Sequence, residues 1–353
     1  MYAKPGGKTM STKKIFGLFA AISVMVSVQA QDFHYTLYHM SPQTLNPANT
    51  GAFTGDIRVI NNYRMQWFTV SSPYKTLSAA VDGAVFRGKM QGSDFFAAGF
   101  VFNNDQAGTS SFKTNRYDLS MAFHKDLSGT SSNYVTLGFQ AGLGQQSINL
   151  ANMSWDIQHN GLQYDPTLPS FEGGGSASIW FDYSTGLLWT YTGNERFKNS
   201  IGASLLHIGR PNVGVYGGDK LYRKFNLNWT AQIALGANSN AILIPNILFS
   251  KQGPNRLVNA GAGVKYLLQE RSHYTGFNQE KSFTIGGAYR LMDAASAYVR
   301  FDYGGWGLGF NYDFNISELT TATKGIGALE FMAIYTGMFG SHKNTRLSSP
   351  SFF

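Results

Sequence analysis

The side chains best suited to acid–base chemistry in this 353-residue chain are its seven histidines, and no cysteine is present to serve as a nucleophile or thiolate ligand. They are His34, His39, His124, His159, His207, His273 and His342. A hydrolase of the Ser/His or Asp/His kind would use His124 or His207 with a nearby Ser or Asp. No G-x-S-x-G motif is present, and we interpret His207, on the apolar face of its segment, as a structural residue or one near an interface. We therefore expect no catalytic residue and no enzymatic activity.

Metal and cofactor chemistry is equally poorly supported. Asp302, Asp313 and Glu330 lie on separate segments, and neither a D-x-D-x-D-G nor an H-x-x-H spacing occurs. The glycine-rich pieces at 172–176 and 214–219 lack the G-K-[ST] ending of a phosphate-binding loop, so turns account for them. We expect no metal site and no cofactor.

The segments that must position these side chains are predicted to be β-strands. From Asp56 onward, apolar residues alternate with polar or small ones over stretches of roughly 10 to 14 residues, a period of two that places alternate side chains on opposite faces of a sheet. In one stretch Phe225 and Leu227 alternate with Asn226 and Asn228. The predicted strands are 56–69, 74–87, 94–104, 112–125, 133–147, 175–192, 196–209, 220–237, 241–252, 255–268, 281–292, 295–304, 305–316 and 326–339.

Three features favour an all-β, closed antiparallel transmembrane β-barrel over the alternative, a soluble β-sandwich. The strands exceed the length of about 5 to 6 residues that is usual in soluble proteins. Aromatic residues such as Trp67, Trp189 and Trp306 collect at strand ends, as in the girdles at the two membrane interfaces. Glycines lie on the polar face, where a crowded interior favours them. The count of about fourteen strands is even, as is the rule for single-chain bacterial barrels.

The composition agrees with a protein whose outer surface does not face water everywhere. Charged residues make up 14% of the chain and aromatic residues 15%, whereas soluble domains carry about 25% charged residues. Past residue 30 there is no apolar run of about 18 residues, which excludes a helical membrane protein. Four of the 28 basic residues lie in the first 30 positions, so the remaining 24 basic and 20 acidic residues give a net charge of only +4. We expect no nucleic-acid partner.

The alternation sends many of the scarce charged residues to the interior of the predicted barrel. A lipid-facing Arg near the bilayer midplane costs about 2 to 4 kcal/mol, so charges there should face inward and pair. We predict a lumenal network, with a pore or substrate path as the open alternative. Its candidate members are Arg58, Arg64, Arg116, Asp118, Arg290, Arg300, Asp302 and Asp313.

The N-terminus has the features of a secretory signal peptide. Lys13 and Lys14 precede an apolar stretch, and Val28 and Ala30 supply the small residues of a cleavage site. We predict that residues 1–30 are removed and that residues 31–353 form a single outer-membrane β-barrel domain. A membrane anchor is the alternative, and the stretch is short for one. Met1 and Met10 both remain open as the initiator.

Two segments of the predicted mature chain do not alternate, 31–55 before the first strand and 149–175 between the fifth and sixth. A loop beyond about 15 residues without secondary structure is usually functional or disordered. In a barrel such a segment is an external loop, an inward plug or a partner-docking surface. Trp155, Leu162 and Tyr164 indicate that the second segment packs against something.

The first of these segments, QDFHYTLYHMSPQTLNPANTGAF at 31–53, resembles the mature N-terminus of the PorP/SprF family of Bacteroidetes outer-membrane proteins. In that family a Phe-Ser-Gln-Tyr-Met-like run leads to Asn-Pro-Ala and a glycine, which Asn46, Pro47, Ala48 and Gly51 match. Further similar pieces follow in family order: LLHIGRPN (205–212), IPNILFSKQGP (244–254), AYRLMDA (288–294), GFNYDFNISEL (309–319) and GALEFMAIY (327–335). The departures are Thr36, Leu37 and His39, where Ser, Gln and Asn-type residues are usual, and a tail without the common Cys. They leave the subfamily unassigned.

The resemblance implies a non-enzymatic barrel of the type IX secretion system, a system linked to gliding motility. Such barrels support export or surface attachment of cargo such as adhesins. The implied partners are type IX components in the periplasm and outer membrane, adhesin-like cargo and outer-membrane lipid. Because fourteen strands leave too narrow a lumen for folded cargo, we expect docking rather than passage. The candidate docking residues are Asn46, Pro47, Gly51, Trp155 and Tyr164. A passive channel or hydrophobic-solute transporter remains the alternative.

Overall fold

A computed structural model of the chain describes most of the predicted mature protein. The described residues are 32–69, 72–86, 90, 92–108, 112–148, 155–165, 167–169, 177–194, 197–215, 218–236, 240–269, 280–317 and 320–337. The predicted signal peptide, His273, His342, the tail after 337 and parts of the 149–175 segment lie outside them.

Fourteen antiparallel strands form a closed barrel in which each strand pairs with its neighbours in sequence and β1 pairs with β14. The predicted fold class and strand number are therefore confirmed. The strands are β1 Ile57–Gln66, β2 Tyr74–Val85, β3 Phe95–Ala107, β4 Phe112–Asp126, β5 Asn133–Ser147, β6 Ala177–Asn194, β7 Phe197–Leu206, β8 Lys224–Ala234, β9 Ala241–Gln252, β10 Asn255–Gln269, β11 Lys281–Arg290, β12 Ala294–Tyr303, β13 Trp306–Asn315 and β14 Ile326–Gly337.

Helical structure in the described ranges is limited to single turns. These are Tyr38–Met40, Pro42–Leu45, Pro47–Asn49, Asp156–Gln158 and Thr320–Thr323. None of them is long and apolar enough to cross a membrane.

Several strands end earlier than predicted, because a residue with left-handed backbone conformation follows them. Trp67 has φ +54° just after β1, and His207 has φ +56° just after β7. Met292, with φ +59°, lies two residues after the end of β11. Alternation of side-chain type continues through these residues, but the extended backbone does not.

The two faces of the barrel follow the predicted alternation. On β1, Arg58 and Arg64 are buried in the interior, whereas Val59 is 43% exposed on the outer surface. Aromatic pairs mark both ends of the outer face, with Trp67 next to Tyr74 at one end and Trp306 next to Tyr335 at the other.

The barrel has two rims, because antiparallel strands place successive connections at alternate ends. The long-loop rim carries the 148–176 connection between β5 and β6 and the 207–223 connection between β7 and β8. The terminal rim is where β1 begins and β14 ends. Its connections range from two residues, at 195–196 and 304–305, to eleven residues, at 270–280, so none is as long as the two long connections of the other rim.

Candidate functional site

Residues 33–56, named here the plug, lie inside the barrel and run from the long-loop rim to the terminal rim. Thr36 contacts Asp313 and Glu330, near the long-loop ends of β13 and β14. Gly51 contacts Asp82, near the terminal end of β2. Of the three arrangements open for this segment, the structure has the inward plug.

Thr36 is the anchor of the plug at the long-loop rim, and its polar groups are all engaged by the barrel. Its backbone N–H donates to Glu330 at 2.8 Å, and its hydroxyl donates to Asp313 at 2.7 Å. The same hydroxyl accepts from Arg64 at 3.1 Å and from Arg290 at 2.8 Å. A hydroxyl is needed here, because the position requires a donor and an acceptor on one atom.

The charges around Thr36 form one buried network. Arg64 pairs with Glu330 and lies 3.2 Å from Asp313, with every side chain at most 4% exposed. Arg290 lies 3.3 Å from Asp313 and also pairs with Asp293. Two arginines thus neutralise the two interior carboxylates, as burial of charge requires.

Apolar residues of the plug pack against the barrel wall below this network. Leu37 and Met40 form a buried cluster with Tyr298 and Met332. This packing leaves the plug held by apolar contact as well as by hydrogen bonds.

Asn46 fills the middle of the barrel, between β6 and β7. Its amide donates to the carbonyl of Leu187 at 2.9 Å and to that of Ala203 at 3.3 Å, and its oxygen accepts from Ala48 N–H at 2.9 Å. The approach is close because inward positions on the surrounding strands are glycines. A Cβ on Gly138, Gly186 or Gly202 would overlap the plug.

At the terminal rim the plug is held by a second buried charge pair. Asp82 accepts from Gly51 N–H at 2.7 Å and forms two hydrogen bonds with Arg58, which itself donates to the Asn49 carbonyl at 3.0 Å. Gly51 has φ +75°, a conformation that favours glycine.

Thr50, beside this pair, is fixed by β4. Its hydroxyl donates to Ser120 Oγ at 2.8 Å, and its carbonyl lies 2.8 Å from Nε2 of His124. The other ring nitrogen of His124 contacts Thr136, and the ring stacks on Phe95 at 4.2 Å. His124 therefore orders the plug, with both ring nitrogens engaged.

These contacts change the interpretation of three candidate docking residues. Asn46, Pro47 and Gly51 are buried inside the barrel, so they do not lie on a surface that a partner can reach while the plug is in place. Each residue type serves the fit of the plug. The Asn46 side-chain amide has its hydrogen bonds satisfied, Pro47 begins a single helical turn, and Gly51 has a left-handed backbone conformation.

Gly138→Val is expected to destabilise the barrel by about 1 to 3 kcal/mol and to displace the plug, because the added side chain overlaps the backbone at Pro47 and Ala48. Urea unfolding in lipid vesicles measures the first effect and protease cleavage of the plug the second. Ala141→Val, at a half-buried outward position of the same strand, is the matched control. Equal behaviour of the two variants would contradict the assigned packing.

The remaining predicted lumenal residues form two further groups, one toward the long-loop rim on β4 and one toward the terminal rim on β12. Arg116 lies 3.4 Å from Asp118 and 3.5 Å from Asp182. Arg300 pairs with Asp302 at 2.6 Å in a more exposed position. The eight candidates therefore fall into four separate groups rather than a single network: Arg58 with Asp82, Arg64 and Arg290 with Asp313, Arg116 with Asp118, and Arg300 with Asp302.

The sequence indicated that His207 lies on the apolar face of its segment. In the structure it points into the barrel instead. Its ring is fully buried, with Nδ1 2.5 Å from Asp182. The reason is that β7 ends at Leu206 and the left-handed backbone of His207 turns its side chain inward. The nearby Ser184 accepts a hydrogen bond from the backbone N–H of His207, at 3.4 Å.

The described part of the long loop is a hydrogen-bonded turn built around the buried Gln158. Its amide donates to the Leu168 carbonyl at 2.8 Å, while its oxygen accepts from Trp155 N–H at 3.2 Å and from the Tyr164 hydroxyl at 3.4 Å. Trp155 is half-buried and Tyr164 is exposed. Leu162, at the tip, is 93% exposed.

Sequence reasoning missed the residues that hold the plug most directly. Thr36 and Asn259, whose amide donates to the Thr36 carbonyl at 3.0 Å, were not candidates. Glu330 was considered only as a metal ligand, and the described residues contain no cluster of three or more potential ligands. The available signal was register, because closing the barrel pairs Arg64 directly with Glu330.

A membrane β-barrel whose lumen is filled by its own N-terminal segment is the class of protein that this fold and site define. Residues 27–335 match the family described as type IX secretion system membrane protein PorP/SprF, and the chain belongs to that family. The predicted resemblance is confirmed. The protein is therefore a β-barrel of the outer membrane and a member of a family of type IX secretion system membrane proteins.

No curated protein matches the chain. Among solved structures, the toluene transporter TbuX of Ralstonia pickettii is 12% identical, with a TM-score of 0.49 over 85% of this chain and 94% of that one. The Pseudomonas putida toluene transporter TodX is 12% identical, with a TM-score of 0.45 over 87% and 93%. BamA from Haemophilus ducreyi lacking POTRA domains 1–3 is 12% identical, with a TM-score of 0.42 over 80% and 70%. At these scores the similarities carry no information about function.

Proposed function

We propose that this protein is a plugged outer-membrane barrel that docks secreted cargo, such as an adhesin, together with periplasmic components of the type IX secretion system. In this role it supports export or surface attachment of the cargo without passing it through its lumen. One observation carries the proposal: the plug occupies the lumen and is anchored at both rims, through Thr36 and Gly51. Family membership supports the class of partner.

The lengths of the connections suggest which rim faces outward. Outer-membrane barrels have short periplasmic turns and longer external loops. On this rule the long-loop rim faces the cell exterior and the terminal rim faces the periplasm. Cargo would then meet the 148–176 and 207–223 connections, and periplasmic components would meet the shorter connections of the terminal rim.

The turn around Gln158 is the proposed contact for cargo. It presents Leu162, Ile157 and Tyr164 as exposed apolar side chains on a hydrogen-bonded frame. Exposed apolar residues grouped in this way are typical of interaction sites. Hydrogen bonds from Thr167 hold the pKa of the neighbouring Asp165 below its usual value, so a negative charge borders the apolar group.

A disulfide that locks the plug separates docking from passage. Thr50 and Ser120 have side-chain oxygens 2.8 Å apart, and the chain has no native cysteine, so Thr50→Cys with Ser120→Cys gives one defined cross-link. Deleting the gene should abolish surface display of at least one adhesin-like protein. The oxidised double variant should restore display to the wild-type level, measured by surface labelling of cells.

The single variant Ser120→Cys controls for the substitutions themselves. Display that is lost in the oxidised double variant and returns on reduction would contradict docking, because it would mean that the plug must leave.

As the second arm of the test, Leu162→Asp should lower display and co-purification of the cargo while the barrel stays folded. Unchanged display in that variant would remove the turn as the contact.

A further inference from the structure

The outward face of the barrel carries one polar side chain in an unusual place. Asn61 lies at the centre of β1, exposed on the face that meets lipid, with Ala79 of β2 and Ala333 of β14 as its strand partners. The centre of a spanning strand lies near the bilayer midplane, where neither water nor lipid headgroups offer hydrogen bonds.

Several other polar residues on the outward face have partners. Thr185, near the centre of β6, donates to the Gly138 carbonyl at 3.0 Å. Three outward asparagine sites nearer the strand ends are paired: Asn104 with Asn115 at 2.6 Å, Asn133 with Trp189 at 2.8 Å and Asn199 with Trp229 at 2.7 Å. Within the described part of the chain, no hydrogen bond engages the Asn61 amide. An unpaired amide in hydrocarbon is costly, so a partner from outside the chain is indicated.

A groove of about 430 Å³ adjoins Asn61 on the same face. Tyr63, Phe310, Phe331 and Ala333 line it, so it is mainly apolar and aromatic. It extends from β1 across β14, β13 and β12 to Phe283 of β11, so it lies beside the seam at which β1 and β14 close the barrel. The site therefore combines one unsatisfied amide with a depression that apolar side chains can fill.

We propose that a second copy of this chain occupies the groove, in a two-fold dimer along the β1–β14 seam with the two Asn61 amides hydrogen-bonded to each other. A two-fold contact places a residue near the axis opposite its own copy, and a primary amide is both donor and acceptor. The chain already forms an amide–amide pair of this kind on its outward face, between Asn104 and Asn115. A lipid acyl chain cannot satisfy the amide, whereas symmetry supplies an amide at the correct depth.

Cross-linking tests this directly, because the chain has no native cysteine and Asn61→Cys introduces a unique thiol. Oxidation of membranes that contain this variant should give a species of twice the monomer mass, which reverts on reduction. Leu227→Cys is the matched control, since Leu227 is also lipid-exposed and β8 lies on the opposite side of the barrel. It should remain monomeric.

Mass measurement in mild detergent adds a readout that does not depend on a thiol. The wild type and Asn61→Gln should be dimers, and Asn61→Leu should shift to monomer while keeping the folded barrel. The proposal is overturned if oxidised Asn61→Cys stays monomeric, if Leu227→Cys cross-links equally, or if Asn61→Cys forms a product with a different protein. A wild-type monomer with the same mass as Asn61→Leu would also overturn it.

Discussion

Removal of residues 33–50 is expected to convert an electrically silent barrel into one that conducts ions across planar lipid bilayers. The plug fills the lumen, and the inward faces of the strands carry many polar side chains, so a vacated lumen should fill with water. Fourteen strands lie between the roughly 8 that side chains can fill and the roughly 16 to 18 of open porins. We expect discrete current steps well above the baseline of the full-length protein.

The barrel should survive this deletion, because the charges that hold the plug remain balanced without it. Arg58 and Asp82 still pair with each other at the terminal rim. Arg64 and Arg290 still face Asp313 and Glu330 at the long-loop rim. The deletion therefore removes hydrogen-bond partners and apolar packing but leaves no buried charge unpaired, which is the costliest defect.

Two controls define the outcome. The full-length protein, and the same protein with its plug locked by the oxidised Thr50→Cys/Ser120→Cys pair, should both stay silent. Steady conduction by the full-length protein would favour the passive-channel alternative. A folded deletion variant that stays silent would show that something other than the plug seals the lumen.

The barrel could be predicted from the sequence because one physical constraint acts along every strand. Lipid on one side and a crowded polar interior on the other impose a period of two on the side chains of each strand, as in the stretch from Phe225 to Asn228. This alternation can be recognised from neighbouring residues alone. The ends of strands were less accurate, since a left-handed residue such as His207 interrupts the backbone without interrupting the alternation.

The plug and its anchors could not be predicted in the same way, because they depend on contacts between residues far apart in sequence. Thr36 is held by Glu330, and that pairing requires the closure of β1 on β14. The inward glycines at 138, 186 and 202 indicated a crowded interior, but nothing local identified Asn46 as the residue that fills it. Segments without periodicity carry no signal of which face they meet.

Arg64→Ala is expected to destabilise the protein by about 3 to 5 kcal/mol, among the largest effects of any single substitution in the barrel. Arg64 is 3% exposed, and its loss leaves Glu330 without its only arginine partner among the described residues. Glu330 also accepts the backbone N–H groups of Thr36 and Leu37, so the anchor of the plug should loosen with it. Urea unfolding in lipid vesicles, followed by tryptophan fluorescence, measures the change.

Arg300→Ala is the matched control, because its side chain is 28% exposed and that of its partner Asp302 is 19% exposed, so water can replace the lost contact. It should cost about 0 to 1 kcal/mol. The double variant Arg64→Ala/Glu330→Ala should lose less stability than the two single variants lose together. The second substitution removes the carboxylate that the first leaves buried and unpaired. The buried network would be contradicted as a cooperative unit if Arg64→Ala and Arg300→Ala lost equal stability, or if the losses of Arg64→Ala and Glu330→Ala were strictly additive. Either result would mean that apolar packing, rather than the charge network, stabilises the plug.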